Sequence, residues 1–331
     1  MDLAPILKLW EGLGGSTVKT SSIPALEDRY RGVLLGVAAG NLLGIPVEGM
    51  SSKDLREIYP QGLRDISPQE KTQPWDDDLA QTVLLAEALL AGNRLSLGDL
   101  GERLLRWALE NGRGMGNLTR RVLRELDRGT PATEAARLVW EQDGRQPAGN
   151  GAVMRCAPVA LRWRQQPQVL VKETLESAKA THYDPRCQWS AVAVNIALAH
   201  ILEGRAPELS ALAAALDRVG APTAVTEAIR ASEPERLEDL ALDDRHTMGY
   251  TLRAMQAGLW ALMQPSDFAG VLVRVVNAGG DTDTNGAVAG AILGAKYGVT
   301  AIPQRWLDHI PQRERIEHLA TRLLRASEQG A

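Results

Sequence analysis

Two aspartates and a threonine stand within four residues of one another in the run Ala278-Gly279-Gly280-Asp281-Thr282-Asp283-Thr284-Asn285-Gly286-Ala287-Val288-Ala289-Gly290. Carboxylate and hydroxyl oxygens are hard donors, suited to Mg²⁺ or Mn²⁺. The glycines before Asp281 and the small residues after Thr284 place these oxygens at the start of a helix. A second acidic run, Trp75-Asp76-Asp77-Asp78-Leu79-Ala80, precedes the periodic segment Val83, Leu84, Leu85, Leu89, Leu90 and is also placed at a helix start. Acids there complement the helix dipole by about 0.3–1 kcal/mol each. Three adjacent aspartates exceed that need, and they repel one another unless a cation or wide solvent exposure relieves them. The two runs together point to a cation site.

Two more segments carry chemistry of a weaker kind. Gln146-Pro147-Ala148-Gly149-Asn150-Gly151-Ala152 forms a turn whose backbone N–H groups can cradle a phosphate or a ribose, because glycine permits close approach. The same composition is also ordinary turn chemistry. His182, followed by Asp184 and Pro185, sits at a predicted helix start. Other familiar sites are missing from the sequence: it has no Gly-x-x-x-x-Gly-Lys-Ser/Thr loop, no His-Glu-x-x-His pair and no Gly-x-Ser-x-Gly elbow. The five histidines, His182, His200, His246, His309 and His318, are dispersed. The glycine-rich stretch from Gly32 to Gly44 lacks the preceding strand and the Gly-x-Gly-x-x-Gly spacing of a dinucleotide fingerprint.

The elements that must hold these groups read as helices almost throughout. Apolar residues recur at three and four spacings, as in Leu84, Leu85, Ala88, Leu89 and in Leu252, Met255, Leu259, Leu262, whereas alternating β-branched runs are nearly missing. Helices are predicted to start near Asp28, Asp78, Ser96, Thr119, Pro131, Pro167, Pro185, Pro207, Pro222, Thr247, Asp267, Asn285 and Arg313. The fold class is therefore all-α, a compact single-domain multi-helix protein. Gly32, Gly36, Gly40 and Gly44 recur every four residues, as do Gly286, Gly290 and Gly294. An interior glycine costs a helix about 1 kcal/mol relative to alanine, so two such smooth faces predict helices packed closely around the site.

The chain has 331 residues, 44% of them hydrophobic and 24% charged, enough to bury a large core. Its 37 Lys and Arg are scattered against 41 Asp and Glu, a net charge of −4 that leaves no electrostatic footprint for nucleic acid. Cys156 and Cys187 lack Cys-x-x-Cys spacing and suit a reducing compartment, so the expected location is cytoplasmic. The N-terminus carries no basic region with a long apolar core. The apolar stretches Gly32 to Val47 and Ala191 to Leu202 are short for a membrane span and contain Asn41, Asn195 and His200, so they are expected to be interior helices. Residues 1–27, with Gly12, Gly14, Gly15, Ser16, Thr17, Ser21 and Ser22, are expected to form an N-terminal extension to a domain over 28–331. The stretch from Glu203 to Asp244 is expected to be a peripheral helical hairpin.

Taken in order, Arg31 to Glu48, Trp75 to Asp78, Gly149-Asn150-Gly151-Ala152-Val153-Met154-Arg155, Thr181-His182 and Gly279 to Thr284 resemble the motifs of the ADP-ribosylglycohydrolases. The resemblance is strongest to the dinitrogenase-reductase-activating branch. It covers about residues 28 to 300 and includes Gly249-Tyr250 leading into Ala257-Gly258-Leu259-Trp260. It implies a compact all-α fold with two Mg²⁺ or Mn²⁺ ions in a cleft, and hydrolysis of the bond between C1″ of ADP-ribose and an acceptor.

Carried over by position, the resemblance implies Asp76, Asp77, Asp78, Asp281, Asp283 and Thr284 as metal ligands, and Glu48, Asp77 and Asp283 as catalytic residues. Glu48 would position substrate or give acid–base help. Arg113, Gly114, Gly116, Gly149, Asn150, Gly151, Ala152, Met154 and His182 are implied on the substrate side, with His182 at the diphosphate or sugar. Breaking a glycosidic bond develops oxocarbenium character and needs a water on one face of the sugar, work suited to two divalent ions.

The chain departs from the pattern at three positions. Asp76 stands where the family has Thr, Leu79 where it has a hydroxyl residue, and Asn41 where it has Asp. Three functions follow from the resemblance: removal of ADP-ribose from a protein side chain, arginine foremost; a related two-metal hydrolase releasing another group, such as phosphate, from an ADP-ribose derivative; and a non-catalytic binding or structural protein. The implied partners are ADP-ribose and an ADP-ribosylated protein or small molecule, with no nucleic acid or membrane, and the chain is expected to act as a monomer.

Overall fold

The computed structural model describes residues 4–12, 23–233 and 236–329. Its helices are α1 (Ala4–Gly12), α2 (Leu26–Gly44), α3 (Ser52–Ile58), α4 (Asp77–Ala91), α5 (Leu97–Glu110), α6 (Asn117–Asp127), α7 (Ala132–Gln142), α8 (Ala157–Trp163) and α9 (Pro167–Lys179). They continue with α10 (Pro185–Leu202), α11 (Leu209–Arg218), α12 (Thr223–Arg230), α13 (Thr251–Met263), α14 (Phe268–Asn277), α15 (Thr282–Tyr297), α16 (Gln304–Leu307) and α17 (Arg313–Gln329). Among the described residues there is no strand. Two isolated bridges, Ser51 with Gly279 and Gly149 with Tyr250, tie loops together beside the cleft.

The centre of the fold is the antiparallel pair α2 and α15, and the glycine periodicity explains it. A Cβ on Gly40 would lie 1.9 Å from the carbonyl oxygen of Gly286, and one on Gly36 would lie 2.1 Å from that of Gly290. At the two ends, a Cβ on Gly32 would lie 2.4 Å from the carbonyl oxygen of Gly294, and one on Gly44 would lie 2.3 Å from Asp283 N. No side chain fits between the two backbones, so every fourth position on the shared face is glycine. This contact sets the height of α15 against α2 and with it the position of Asp283. Thr282 adds a side-chain lock by donating from Oγ1 to Gly44 O at 2.8 Å.

α13, α14 and α10 pack around α15, with Gly258 of α13 receiving Val288. The segment Leu26–Val47 is long and apolar enough to cross a membrane, but 83% of its 18-residue apolar window is buried inside the protein, against α15 and its neighbours. α11 and α12 form the expected hairpin over 203–244. Their inner faces, Leu209, Leu212, Leu216, Val225 and Ile229, are completely buried, so the hairpin completes the core instead of lying on its surface.

Most helix starts fall within a few residues of their sequence signals, and side chains cap them in the expected way. Ser96 accepts from Asp99 N, Asp184 from Arg186 N and Asp267 from Gly270 N. The start expected at Thr247 is displaced to Thr251, because residues 244–250 are held in turns by Thr247 N to Asp244 O and Tyr250 N to Thr247 O. In the extension expected over 1–27, Ala4–Gly12 is a helix whose Ile6 is fully buried and whose Trp10 ring lies 4.5 Å from that of His200. Gly14, Gly15, Ser16, Thr17, Ser21 and Ser22 lie outside the described residues. Trp10 meets the C-terminal end of α10, whereas the cleft lies at the other end of that helix, about 22 Å away at 1.5 Å per residue.

Candidate active site

The cleft forms where helix termini converge. α4 and α15 point their N-termini into it, α2 ends beside it, and the turns at 112–116, 149–152 and 247–250 close its rim. Its lining includes Glu48, Asp77, Gly114, Gly116, Gly149, Asn150, Gly151, Met154, His182, Asp281, Asp283 and Thr284. The two acidic runs therefore meet, although about two hundred residues separate them in sequence.

The carboxylates divide into two groups that share one member. Glu48, Asp281 and Asp283 can bring ligand oxygens within 4.8 Å of one another, and so can Asp76, Asp78 and Asp283. Asp283 is the common residue. The first group is open to the cleft and the second is buried, with Asp78 completely enclosed. Thr284 Oγ1 donates to Asp78 Oδ2 at 3.3 Å, tying α15 to α4 at this point.

Backbone geometry fixes each acid. Gly279 and Gly280 adopt φ near +80°, a left-handed conformation that turns the chain into α15, and a Cβ on Gly280 would collide with Leu242 O. Gly49 N donates to Gly280 O and Gly280 N to Met50 O, both at 2.8 Å, which brings the loop after α2, with Glu48, against Asp281. Asn150 Nδ2 donates to Asp281 Oδ2 at 2.8 Å and ties the glycine turn to the same carboxylate. Trp75, immediately before the other acidic run, donates from Nε1 to Pro311 O at 3.0 Å, and the Arg315 guanidinium stacks on its ring. Gly114, at φ +73°, covers the run so closely that a Cβ there would sit 2.1 Å from Asp76 Oδ1.

The electrostatics follow from burial and from mutual repulsion. Loss of solvation and the charges of Asp76, Asp281 and Glu48 push the Asp77 carboxyl up to about 8. Burial, then Asp77 and Asp76, raises Asp78 well above the usual carboxylate range, and burial, then Asp78, does the same for Asp283. Glu48 is raised by desolvation and by Asp281 and Asp76. Asp78 Oδ1 and Asp283 Oδ1 are buried acceptors with no hydrogen-bond partner, as is Asn41 Oδ1. Clustered acids with orphaned oxygens are what a hard divalent cation would satisfy, and the residues present fit one.

Asn41 and Asp76, two of the departures in the sequence, are neighbours. Asn41 Nδ2 donates to Asp76 Oδ2 at 3.4 Å and to Asp78 Oδ2 at 3.3 Å. The neutral amide thus faces the additional carboxylate, and the exchange of charge between the two positions is local. Leu79, the third departure, is buried in the hydrophobic core.

Two sequence expectations need correction. The Arg113 guanidinium does not face the cleft: it grips both oxygens of Glu70, at 2.9 and 3.2 Å, and donates to Pro74 O at 2.9 Å, so it anchors the loop leading to Asp76. Ala152 is buried with Ala148, Ala178 and Cys187 and is not part of the cleft lining. Asp76 and Asp78 lie behind the cleft surface, within reach of a cation but not of a sugar. Asn117, Leu118, Thr119 and Gly249 do line the cleft and were missed as site residues. The Gly249-Tyr250 pair was visible, and Asn117 to Thr119 follow directly on Gly116.

His182 lies flat on the glycine turn. A Cβ on Gly151 would come within 2.4 Å of its Cε1, so only glycine leaves room for the ring. Burial and the nearby Arg155 lower its pKa to about 3, so the ring is neutral.

The comparisons with known proteins agree with this geometry. The family model of the ADP-ribosylglycohydrolases matches residues 22–331. The chain is 28% identical to the ADP-ribosylarginine hydrolase Tri1 of Serratia proteamaculans, over 91% of this chain and 81% of that protein. It is 29% identical to the ADP-ribosyl-[dinitrogen reductase] glycohydrolase of Rhodospirillum rubrum, over 88% and 92%. A solved structure, an ADP-ribosylglycohydrolase-related protein complex, superposes with a TM-score of 0.72 at 31% identity, covering 91% of this chain and 99% of that one. With the glycine-paired helices and the converging acidic runs, these similarities establish that the chain belongs to the ADP-ribosylglycohydrolase family of hydrolases.

Proposed function

We propose that the chain hydrolyses the glycosidic bond at C1″ of ADP-ribose and releases ADP-ribose from an arginine side chain of a modified protein, with two Mg²⁺ or Mn²⁺ ions held by Asp76, Asp77, Asp78, Asp281, Asp283 and Thr284. The observation that carries this reading is the sharing of Asp283 between two carboxylate groups, one open to the cleft and one buried. Arginine is the acceptor by similarity to the Serratia hydrolase. The buried free thiols Cys156 and Cys187 favour a reducing, cytoplasmic setting, and the chain is proposed to act as a monomer.

When bound, the ions would supply Lewis-acid polarisation of the ribose diol and of a water. The chain's own residues do the rest. Asp77, Asp281 and Asp283 present oxygens to the cleft and hold the distal ribose in register with them. Water adds to C1″ as the bond to the acceptor nitrogen breaks. Glu48, at the cleft mouth beside Asp281 and Asp283, takes the proton from that water and passes it to the departing guanidine, which leaves as guanidinium. The turn at 149–151 and His182 bind the part of ADP-ribose beyond the ribose.

The test is incubation with ADP-ribosyl-arginine, ADP-ribosyl-serine and ADP-ribose 1″-phosphate, with and without Mg²⁺ or Mn²⁺, following free ADP-ribose. Metal-dependent release from the arginine conjugate is the expected result. Release from the phosphate alone would move the assignment to a different leaving group. No turnover, with ADP-ribose affinity unchanged by Asp283→Ala, would leave a binding protein without hydrolase activity.

A further inference from the structure

The two ring nitrogens of His182 have different surroundings. Nδ1 lies 2.8 Å from Thr181 Oγ1. That oxygen accepts from Arg155 Nη2 at 2.7 Å, and Arg155 also donates to Gln81 Oε1 at 2.7 Å and to Ser177 O at 3.2 Å. Arg155 and Thr181 are both enclosed, at 1% and 0% exposure. A guanidinium can only donate, so Thr181 must be the acceptor in that bond. Its own hydroxyl hydrogen then needs a second partner, and among the bonds of the described residues His182 Nδ1 is the one that can accept it. A neutral imidazole that accepts at Nδ1 carries its proton on Nε2. Nε2 faces the glycine turn, 3.3 Å and 3.0 Å from where Cβ atoms of Gly149 and Gly151 would lie, on the cleft wall.

We propose that Arg155 and Thr181 are positioning residues that lock His182 in its Nε2–H tautomer, a fixed hydrogen-bond donor to an oxygen of the ADP-ribose moiety. The proposal rests on reading the cleft as the ADP-ribose site. It makes His182 a donor and not a proton carrier. It also ties the donor to the acidic cluster, because Gln81 lies four residues after Asp77 and three after Asp78, on the same side of α4. The chain from Gln81 through Arg155 and Thr181 to His182 therefore sets the distance between the donor and the cation ligands through buried side chains, without relying on the surface loops.

The test is long-range ¹H–¹⁵N correlation of the imidazole rings in the full, labelled chain at pH 7, with His182 assigned by its loss in His182→Asn. Calorimetry with ADP-ribose is run in parallel. The wild type should show a bare Nδ1 and a protonated Nε2. Thr181→Val should lose the single tautomer and bind ADP-ribose about tenfold more weakly, a loss of about 1.4 kcal/mol, and Thr181→Ser should restore both. An Nδ1–H tautomer or an imidazolium in the wild type overturns the proposal without recourse to any variant. So does a Thr181→Val chain with unchanged tautomer and affinity. Lack of turnover on every ADP-ribosyl substrate, with the Nε2–H tautomer present, overturns the functional reading and leaves the relay standing.

Discussion

Asn41 Nδ2 lies 3.4 Å from Asp76 Oδ2, so a neutral amide and a carboxylate, at two positions where the sequence resemblance implies Asp and Thr, face each other across the buried side of the site. The same amide reaches Asp78 at 3.3 Å. Asn41→Asp would place a further carboxylate against two that burial already raises. The metal-free variant should melt several degrees below the wild type, and Asp76→Thr in the same chain should recover most of that loss. A double-mutant cycle on metal-free melting should give a coupling of about 1 kcal/mol or more, and additive effects would show that the two positions do not share a field.

The cluster should also make stability depend on cations. Burial and mutual repulsion oppose ionisation of Asp77, Asp78 and Asp283, so the metal-free protein carries a standing electrostatic cost. Mn²⁺ or Mg²⁺ should add about 2.7 kcal/mol of stability at a hundredfold excess over Kd and so raise the melting temperature. Asp78→Asn should raise the melting temperature of the metal-free chain and abolish most of the rise with metal. Equal cation shifts in wild type and variant, followed by differential scanning fluorimetry, would count against this cluster as the binding site.

The glycine face predicts a steep difference between two small substitutions. Gly40→Ala sets a methyl 1.9 Å from Gly286 O, so the central helices must separate; the expected loss in urea unfolding is at the upper end of the overpacking range, about 3 kcal/mol. Gly116→Ala meets nothing within 4 Å and has an ordinary negative φ, so its loss should stay within about 0.5 kcal/mol. Similar losses for the two would contradict the packing described.

Acid lability should come in part from His200. Burial lowers its pKa to about 4 from 6.5, against a hydrogen bond of Nδ1 with Ile196 O. Between those values the unfolded chain binds the extra proton, so stability rises with pH across this interval. The contribution is complete above pH 6.5 and is lost as pH falls toward 4, a difference of about 3 kcal/mol at about 1.4 kcal/mol per unit. His182 acts in the same direction, since its pKa falls to about 3. Unfolding free energies at pH 4.5 and 7 should therefore differ less in His200→Leu than in the wild type, and an unchanged difference would exclude His200 as a contributor.

Much of this was legible in the sequence, and the reason is chemical. Glycine every fourth residue and acids in excess of a cap are local patterns with few physical explanations, and they marked both the α2–α15 pairing and the two halves of the site. Arg113 was misread because its partner, Glu70, lies in a short turn 43 residues earlier that carries no periodic signal. Gln81, Arg155 and Thr181 sit in apolar surroundings, where a buried polar residue looks like any other until its partners are known. The adjacency of Asn41 and Asp76 depends on where α2 ends relative to the start of α4, which is a property of packing alone.

On the proposed function, Asp283 is shared by two cation positions. Electron paramagnetic resonance during a Mn²⁺ titration of the wild type and of Asp283→Ala tests it most directly. Two Mn²⁺ per chain with a spin-coupled signal are expected in the wild type, and loss of the coupling with at most one retained ion in Asp283→Ala. A single uncoupled Mn²⁺ in the wild type, or a coupled pair that survives the substitution, would contradict it.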